Sequence, residues 1–151
     1  MTTIFNYNKP FQLESGETLQ GFHLAYTTHG KLNAAKFFDP AKYFIICVNK
    51  PGSPYGSISP LSKNPATDEP YYHSFPVFTI RDMIKTYQQL KVSLGITKIF
   101  IGLGGSTGGM QLTEWAIEEP HLFEHIVPIA TSAVLSPWGI AFNASQRMAI
   151  E

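Results

Sequence analysis

The chain has 151 residues, of which 44% are hydrophobic, 13% aromatic and 15% charged. That is the composition of a globular domain large enough for a real core, which excludes a disordered segment. Eleven basic residues cancel eleven acidic ones, so no charge excess marks a nucleic-acid groove or a polybasic membrane patch.

The opening "MTTIFNYNKP" lacks a basic region followed by an apolar run, so it does not read as an export signal. No apolar run approaches a membrane span. The expectation is a soluble, cytoplasmic protein. In that compartment the sequon Asn143-Ala144-Ser145 is idle.

"FQLESGETLQGFHLAYTTHG", residues 11–30, places a turn at Ser15-Gly16 between two runs of strand-forming residues and predicts an antiparallel hairpin. "KYFIICVN" is a short continuous apolar run bounded by polar residues, the pattern of a strand buried on both faces. It holds Cys47, the single cysteine, which reads as a small buried hydrophobe and rules out a disulfide framework or cysteine metal site. From Lys50 to Pro76 the chain is rich in proline, glycine and serine and has no apolar period. That predicts a long loop, of the kind that is functional or disordered in compact domains.

"TIRDMIKTYQQLKVSLG" follows. Ile80, Met83, Ile84, Tyr87, Leu90 and Leu94 share one helical face, Thr79 and Asp82 resemble a capping box, and Gly95 is a stop. "ITKIFIGLGG" predicts a second buried strand, "TGGMQLTEWAIEE" a helix ended by Pro120, "HIVPIATSA" a third strand and "SPWGIAFNASQRMAIE" a further helix. Strand and helix alternate, which implies a mostly parallel sheet with helices on both faces, preceded by the antiparallel hairpin. Ligands bind such sheets beyond the carboxyl ends of the strands.

Gly104-Gly105-Ser106-Thr107-Gly108 lies at such an end, between a predicted strand and a predicted helix. It is the G-x-S-x-G pattern of a nucleophilic serine on a strained strand-to-helix turn. Glycine at 104 and 108 removes side chains that would collide with the turning backbone, and Gly105 and Gly109 give room for close approach. The Thr107 amide opens the helix and is placed to stabilise an oxyanion, aided by the helix dipole. A phosphate-cradling loop is the rival. No lysine lies between Lys98 and Glu151 to make a Walker pattern, and Gly102, Gly104 and Thr107 miss the last position of a dinucleotide fingerprint.

On these residues the chain resembles the homoserine O-acetyltransferases, α/β-hydrolase-fold enzymes of methionine biosynthesis. The stretches "NPATDEPYYHSFPVFTIRDM", "GGSTGGMQLTEWAIEEP" and "PIATSAVLSPWGIAFNASQRMAI" carry the resemblance, together with the opening hairpin, and it extends from about Phe11 to Ile150. It implies acetyl transfer from acetyl-CoA to the hydroxyl of L-homoserine, with Ser106 carrying the acetyl group in a ping-pong cycle. Acetyl-CoA would then be a co-substrate and no cofactor would be bound. The partners would be small molecules, with no nucleic acid and no membrane, and a homodimer stays open for the full-length family.

Three departures from the family qualify this. A strand and a His-Ala-Leu-Thr-type loop that supply an oxyanion donor are missing where "KLNAAK" runs into "FFDPAKYF". The family's acid and histidine lie beyond Glu151 in chain order, and the residue after the serine is Thr107 where the family usually has methionine. His121 and His125 follow a helix that carries the chain roughly 18 Å from the serine, and Glu114, Glu118 and Glu119 leave with that helix. His23, His29 and His73 precede the serine and read as structural or loop histidines. Arg81 and Arg147 are candidates for a carboxylate or phosphate, with the structural reading favoured and an Arg81–Asp82 ion pair suggested. Trp115 and Trp138 read as packing residues, and no metal spacing is present.

The expectation is a single partial α/β-hydrolase domain over residues 1–151, active by resemblance as an acyltransferase but impaired in this chain and unstable or self-associating alone. The alternatives are a succinyl- or serine-specific acyltransferase of the same family, a plain esterase, and an inactive remnant that only binds a partner.

Overall fold

A computed structural model describes residues 1–30 and 43–150, in two compact units, Met1–Thr97 and Lys98–Glu151.

The first unit is built on a long strand that pairs on both sides. β1 (Thr2–Tyr7) runs antiparallel to β4 (Phe22–His29), with Thr2 opposite Thr27 and Tyr7 opposite Phe22. β5 (Ile45–Val48) lies antiparallel on the other side of β4, with Tyr26 opposite Val48. The predicted hairpin is present as two two-residue strands, β2 (Phe11–Gln12) and β3 (Thr18–Leu19), with Phe11 opposite Leu19. Its turn closes through Leu13 N–H to Glu17 O and Gly16 N–H to Leu13 O. The long second arm of the expected hairpin, residues 22–29, pairs instead with β1. The registered partner is the first six-residue strand, whose Phe5 and Tyr7 rings both reach Phe22. Around Phe22, Tyr7 stacks at 4.9 Å and Phe11 meets it edge-on at 4.9 Å. Phe11 and Phe22 are buried with Leu13, Leu19 and Leu24, and Ile58, Ile84 and Leu90 are buried in the same unit.

β5 departs from expectation. Its residues are half-exposed and Cys47 is exposed, not a buried hydrophobe. Side chains leave a strand toward the two faces of its sheet, so the exposure means that the face carrying Cys47 is uncovered; the strand itself pairs with β4 alone and is the last of that sheet among the described residues.

The long loop is ordered by side-chain hydrogen bonds. The buried Ser57 hydroxyl accepts the Ala25 amide and donates to Asn49 O at 2.6 Å. Apart from a Lys63–Pro70 bridge and a short 3-10 turn at Tyr72–Ser74, it has no regular structure among the described residues.

α1 (Ile80–Ser93) starts at the predicted capping box: Thr79 Oγ1 accepts from Asp82 N–H, and Asp82 accepts from Thr79 N–H. Ile84, Tyr87 and Leu90 are buried as the period requires, joined by Asp82 and Thr86. Asp82 is fully buried because its other oxygen accepts the Glu14 amide at 3.0 Å. Glu14 in turn accepts from the Thr79 hydroxyl and pairs with Arg81 at 3.2 Å. Arg81 is therefore structural, as expected, but Glu14 of the hairpin turn is an ion-pair partner where Asp82 was expected.

The second unit is a strand–helix–strand–helix run. β6 (Ile99–Gly105) and β7 (Phe123–Ile129) are parallel, with Ile99 opposite Phe123 and Gly105 opposite Ile129. α2 (Thr107–Glu118) crosses between them, burying Leu112 and setting Trp115 edge-on to Phe123 at 5.5 Å. This βαβ unit is the parallel part of the fold; the ladders of the first unit are antiparallel. β7 begins two residues earlier than the apolar pattern suggested and stops at Ile129, because Ala130 takes a left-handed φ of 49° and turns the chain out of the ladder. α3 (Pro137–Met148) starts at Ser136, whose hydroxyl accepts from Gly139 N–H. It buries none of its residues, and Ile126, Val127 and Ile129 of β7 are exposed as well.

Candidate active site

The serine sits where sheet and helix meet. Ser106 is the N-cap of α2 with φ 51° and ψ −121°, a conformation uncommon for a residue with a side chain. The strain is held by backbone hydrogen bonds on both sides. Ser106 N–H donates to Ile129 O at 2.9 Å, while Ser106 O accepts from Gly109 and Met110. Its side chain makes no capping hydrogen bond, unlike that of Thr79 or Ser136, so the hydroxyl is not used by the helix it precedes.

The two motif glycines are not equivalent. A Cβ on Gly104 would stand 2.2 Å from Gly108 O and 2.5 Å from Gly108 C, so the strand can pass the helix only without one. A Cβ on Gly108 would meet nothing within 4 Å. The close approach belongs to Gly104, and Gly108 contributes its backbone. Gly109 is a second tight point, where a Cβ would lie 2.5 Å from Thr131 Cγ2. Gly105 would gain only an ordinary contact at 4.0 Å with Ile129 O.

Thr107 opens α2, and its amide belongs to the first turn, where N–H groups have no intrahelical acceptor. Ser106 and Thr107 border a cleft of about 610 Å³. Met110 of α2 and Leu135, Trp138 and Phe142 around α3 supply its apolar wall, and Thr131, Ser132 and Asn143 its neutral polar groups. Trp138 is 80% exposed and lines this cleft, so the packing role expected for it is corrected. Composition gave no hint of the α3 wall. The signal that could have found it is spacing: Trp138, Gly139, Phe142 and Asn143 fall on one helical face directly after a strand end.

The titratable residues of this unit lie elsewhere. The His121 carbonyl accepts from Lys98 at the start of β6, the end of the sheet opposite Ser106. His125 pairs with Ile101 and meets Phe100 edge-on, four residues back from Ile129, or roughly 13 Å along the strand. Glu114, Glu118 and Glu119 follow α2 away from its N-terminus, and Arg147 sits in the last turn of α3 without lining the cleft. His23, His29 and His73 belong to the first unit; burial lowers the pKa of His23. Among the described residues no cluster could hold a metal ion, and no helix is long and apolar enough to cross a membrane. The expected loss of an oxyanion-hole loop concerns residues 31–42 in part, which lie outside the described residues.

A family model for the alpha/beta hydrolase fold matches residues 25–149. The chain is 41% identical to a homoserine O-acetyltransferase from Cyclobacterium marinum, over 98% of this chain and 50% of that protein. It is 55% identical to one from Carboxydothermus hydrogenoformans, over 75% of this chain and 30% of that protein. The structure is similar to a homoserine O-acetyltransferase from Staphylococcus aureus, with a TM-score of 0.82 at 24% identity, covering 99% of this chain and 53% of that one. It is also similar to an acetylester hydrolase from Corynebacterium glutamicum, with a TM-score of 0.82 at 26% identity, covering 96% and 48%. The chain thus spans about half the length, or less, of these relatives. The glycine-flanked serine on its strained turn and the match over residues 25–149 lead to one conclusion: the chain belongs to the α/β-hydrolase fold family, where its curated relatives are homoserine O-acetyltransferases.

Proposed function

We propose that this chain is the nucleophile-bearing half of a homoserine O-acetyltransferase, with Ser106 as the acyl carrier and the Thr107 amide as an oxyanion donor. The observation that carries the reading is the left-handed Ser106 at the head of α2, its hydroxyl unused by the cap and bordering a cleft. Ser106 Oγ would attack the thioester carbonyl of acetyl-CoA and lose its proton. The C–S bond would break and the CoA thiol would leave with a proton. The hydroxyl of L-homoserine would then take the acetyl group and return a proton to Ser106. Gly104 and Gly108 shape the turn that presents the serine.

No histidine or carboxylate lines the cleft among the described residues. A serine without a base is a weak nucleophile at neutral pH, so the chain alone is expected to acylate slowly. Choice of acetyl over succinyl donor, and of homoserine over serine, belongs to the same proposal. A hydrolytic reading, with water as acceptor, draws support from the similarity to an acetylester hydrolase.

Mass spectrometry of the chain after mixing with acetyl-CoA tests this, with Ser106→Ala alongside. The expected result is a slow gain of one acetyl group that the variant lacks and that added L-homoserine discharges faster than water does. Acetylation that persists in Ser106→Ala would overturn the assignment. Discharge by water at the same rate with and without homoserine would favour the hydrolytic reading.

A further inference from the structure

β7 leaves its ladder at an unusual residue. Ala130 has a φ of 49°, in the left-handed region that a side chain disfavours. It directly follows Ile129, which closes the ladder opposite Gly105, just as Ser106 directly follows Gly105. Two left-handed residues with side chains therefore end the paired strands, Ser106 with a φ of 51° and Ala130 beside it. The bend at Ser106 presents the candidate nucleophile. The bend at Ala130 has no part in the reaction proposed above, yet such strain persists only where the surroundings over-determine it.

What the bend delivers is Thr131. Its side chain lies over Gly109 in the first turn of α2: a Cβ on Gly109 would stand 2.5 Å from Thr131 Cγ2 and 2.8 Å from Thr131 Cβ. The threonine methyl takes the space that a side chain at 109 would fill. Gly109 N–H donates to Ser106 O at 2.9 Å. The chain from Ile129 to Thr131 thus grips the serine turn twice. Ile129 O accepts the Ser106 N–H at 2.9 Å, and Thr131 Cγ2 packs on the residue that holds Ser106 O.

The two branches of the threonine side chain differ. Thr131 borders the cleft, but its Oγ1 is buried and has no hydrogen-bond partner among the described residues. A hydroxyl closed off in this way costs stability. The contact that shapes the turn is made by the methyl.

We infer that Thr131 is a positioning residue for Ser106 and that it acts through its γ-methyl group. Seated on Gly109, the methyl fixes the first turn of α2, and with it the Thr107 amide, relative to the serine. A misplacement of about 1 Å at such a point can cost roughly a hundredfold in rate. The inference rests on the reading of Ser106 as the acyl-accepting nucleophile, whatever the acyl donor.

The test compares two variants of the full chain. Thr131→Val keeps the methyl and loses the hydroxyl; Thr131→Ser does the reverse. The probe is p-nitrophenyl acetate. Ser106 Oγ attacks its carbonyl carbon and gives up a proton, the ester C–O bond breaks and p-nitrophenolate leaves. Mass spectrometry follows the acetyl group, with Ser106→Ala as the background. Amide hydrogen exchange at Gly109 and Met110 reads the turn without any chemistry. All rates are taken well below the melting midpoint of each variant. Thr131→Val is expected to be acetylated within about twofold of the unmutated rate and to melt no lower. Thr131→Ser is expected to be acetylated about tenfold more slowly. Its Gly109 and Met110 amides should exchange about tenfold faster.

A merely structural contact would lower the midpoint of Thr131→Ser and leave its acetylation rate and the two amides unchanged. That result would overturn the inference and leave Ser106 as the nucleophile. So would the opposite order, a slow Thr131→Val beside an unchanged Thr131→Ser, which would assign the role to the hydroxyl. If acetyl-CoA leaves Ser106 unmodified while p-nitrophenyl acetate gives the expected order, the choice of donor falls and the positioning role stands. If neither compound acetylates Ser106, the nucleophile and its positioning residue fall together.

Discussion

Asp82 accepts the backbone amide of Glu14 at 3.0 Å, across 68 residues of sequence. The same carboxylate closes the capping box of α1 through Thr79 N–H at 3.2 Å. One buried side chain therefore fastens the hairpin turn to the head of a helix. Removing it strands two backbone donors, whereas removing the Thr79 hydroxyl strands one. Asp82→Ala is expected to lower the stability of the chain by about 2–4 kcal/mol and Thr79→Ala by about 1 kcal/mol. Urea denaturation of the two variants checks the order; equal losses would mean that the Glu14 contact contributes nothing.

The asymmetry of the motif glycines gives a prediction of opposite signs. Gly104→Ala drives a methyl group to 2.2 Å from Gly108 O, a backbone atom that cannot move without breaking the turn. Its expected cost is about 1–3 kcal/mol or more. Gly108→Ala places a methyl in open space inside α2, where alanine is the better helix former by about 0.5–1 kcal/mol. Denaturation midpoints should move down for the first and up for the second. A destabilised Gly108→Ala would show that the site tolerates no side chain there.

Acid should weaken the first unit in two steps. Burial holds the His23 pKa below its ordinary value of 6.5, so the folded chain binds fewer protons than the unfolded one as pH falls past that value. Stability is full above pH 6.5 and drops as pH approaches the lowered folded value. A hydrogen bond from Thr79 is the largest cause holding Glu14 below its ordinary 4.5, opposed by desolvation and aided by Arg81 and Lys85. Its contribution is present above pH 4.5 and lost below. Denaturation midpoints for the chain and for His23→Gln, measured from pH 7.5 to 5, should converge toward the acid end. Parallel curves would remove His23 from the account.

Cys47 stands exposed on β5. The folded chain should take up one equivalent of iodoacetamide without denaturant, at a rate close to that of the unfolded chain. Protection of many-fold, released by urea, would show that the outer side of β5 is covered in solution.

What the sequence made legible was local. Thr79, Asp82 and Gly95 bracket α1 by capping chemistry that needs no knowledge of the rest of the chain. The glycines around Ser106 mark a turn for the same reason. Pairings between distant segments were not legible. Nothing in Thr2–Tyr7 says that its partner is β4 and not the nearer β2, and nothing in "IICV" says that one side of the strand stays open. The reach of Asp82 to Glu14 and the placing of Trp138 on the cleft are of the same kind. Each depends on where the backbone brings two segments that share no local pattern.

The amide of Ser106 ends on the carbonyl of Ile129. That bond spans a whole helix and strand, so a growing chain synthesises its serine, its glycines and all of α2 before the residue that steadies the turn exists. Until β7 has been made and laid beside β6, the left-handed serine is held from the α2 side alone, through Gly109 and Met110. The elbow should therefore be among the last features of this unit to become rigid and among the first to loosen, with the exchange rate of the Ser106 amide serving as its clock.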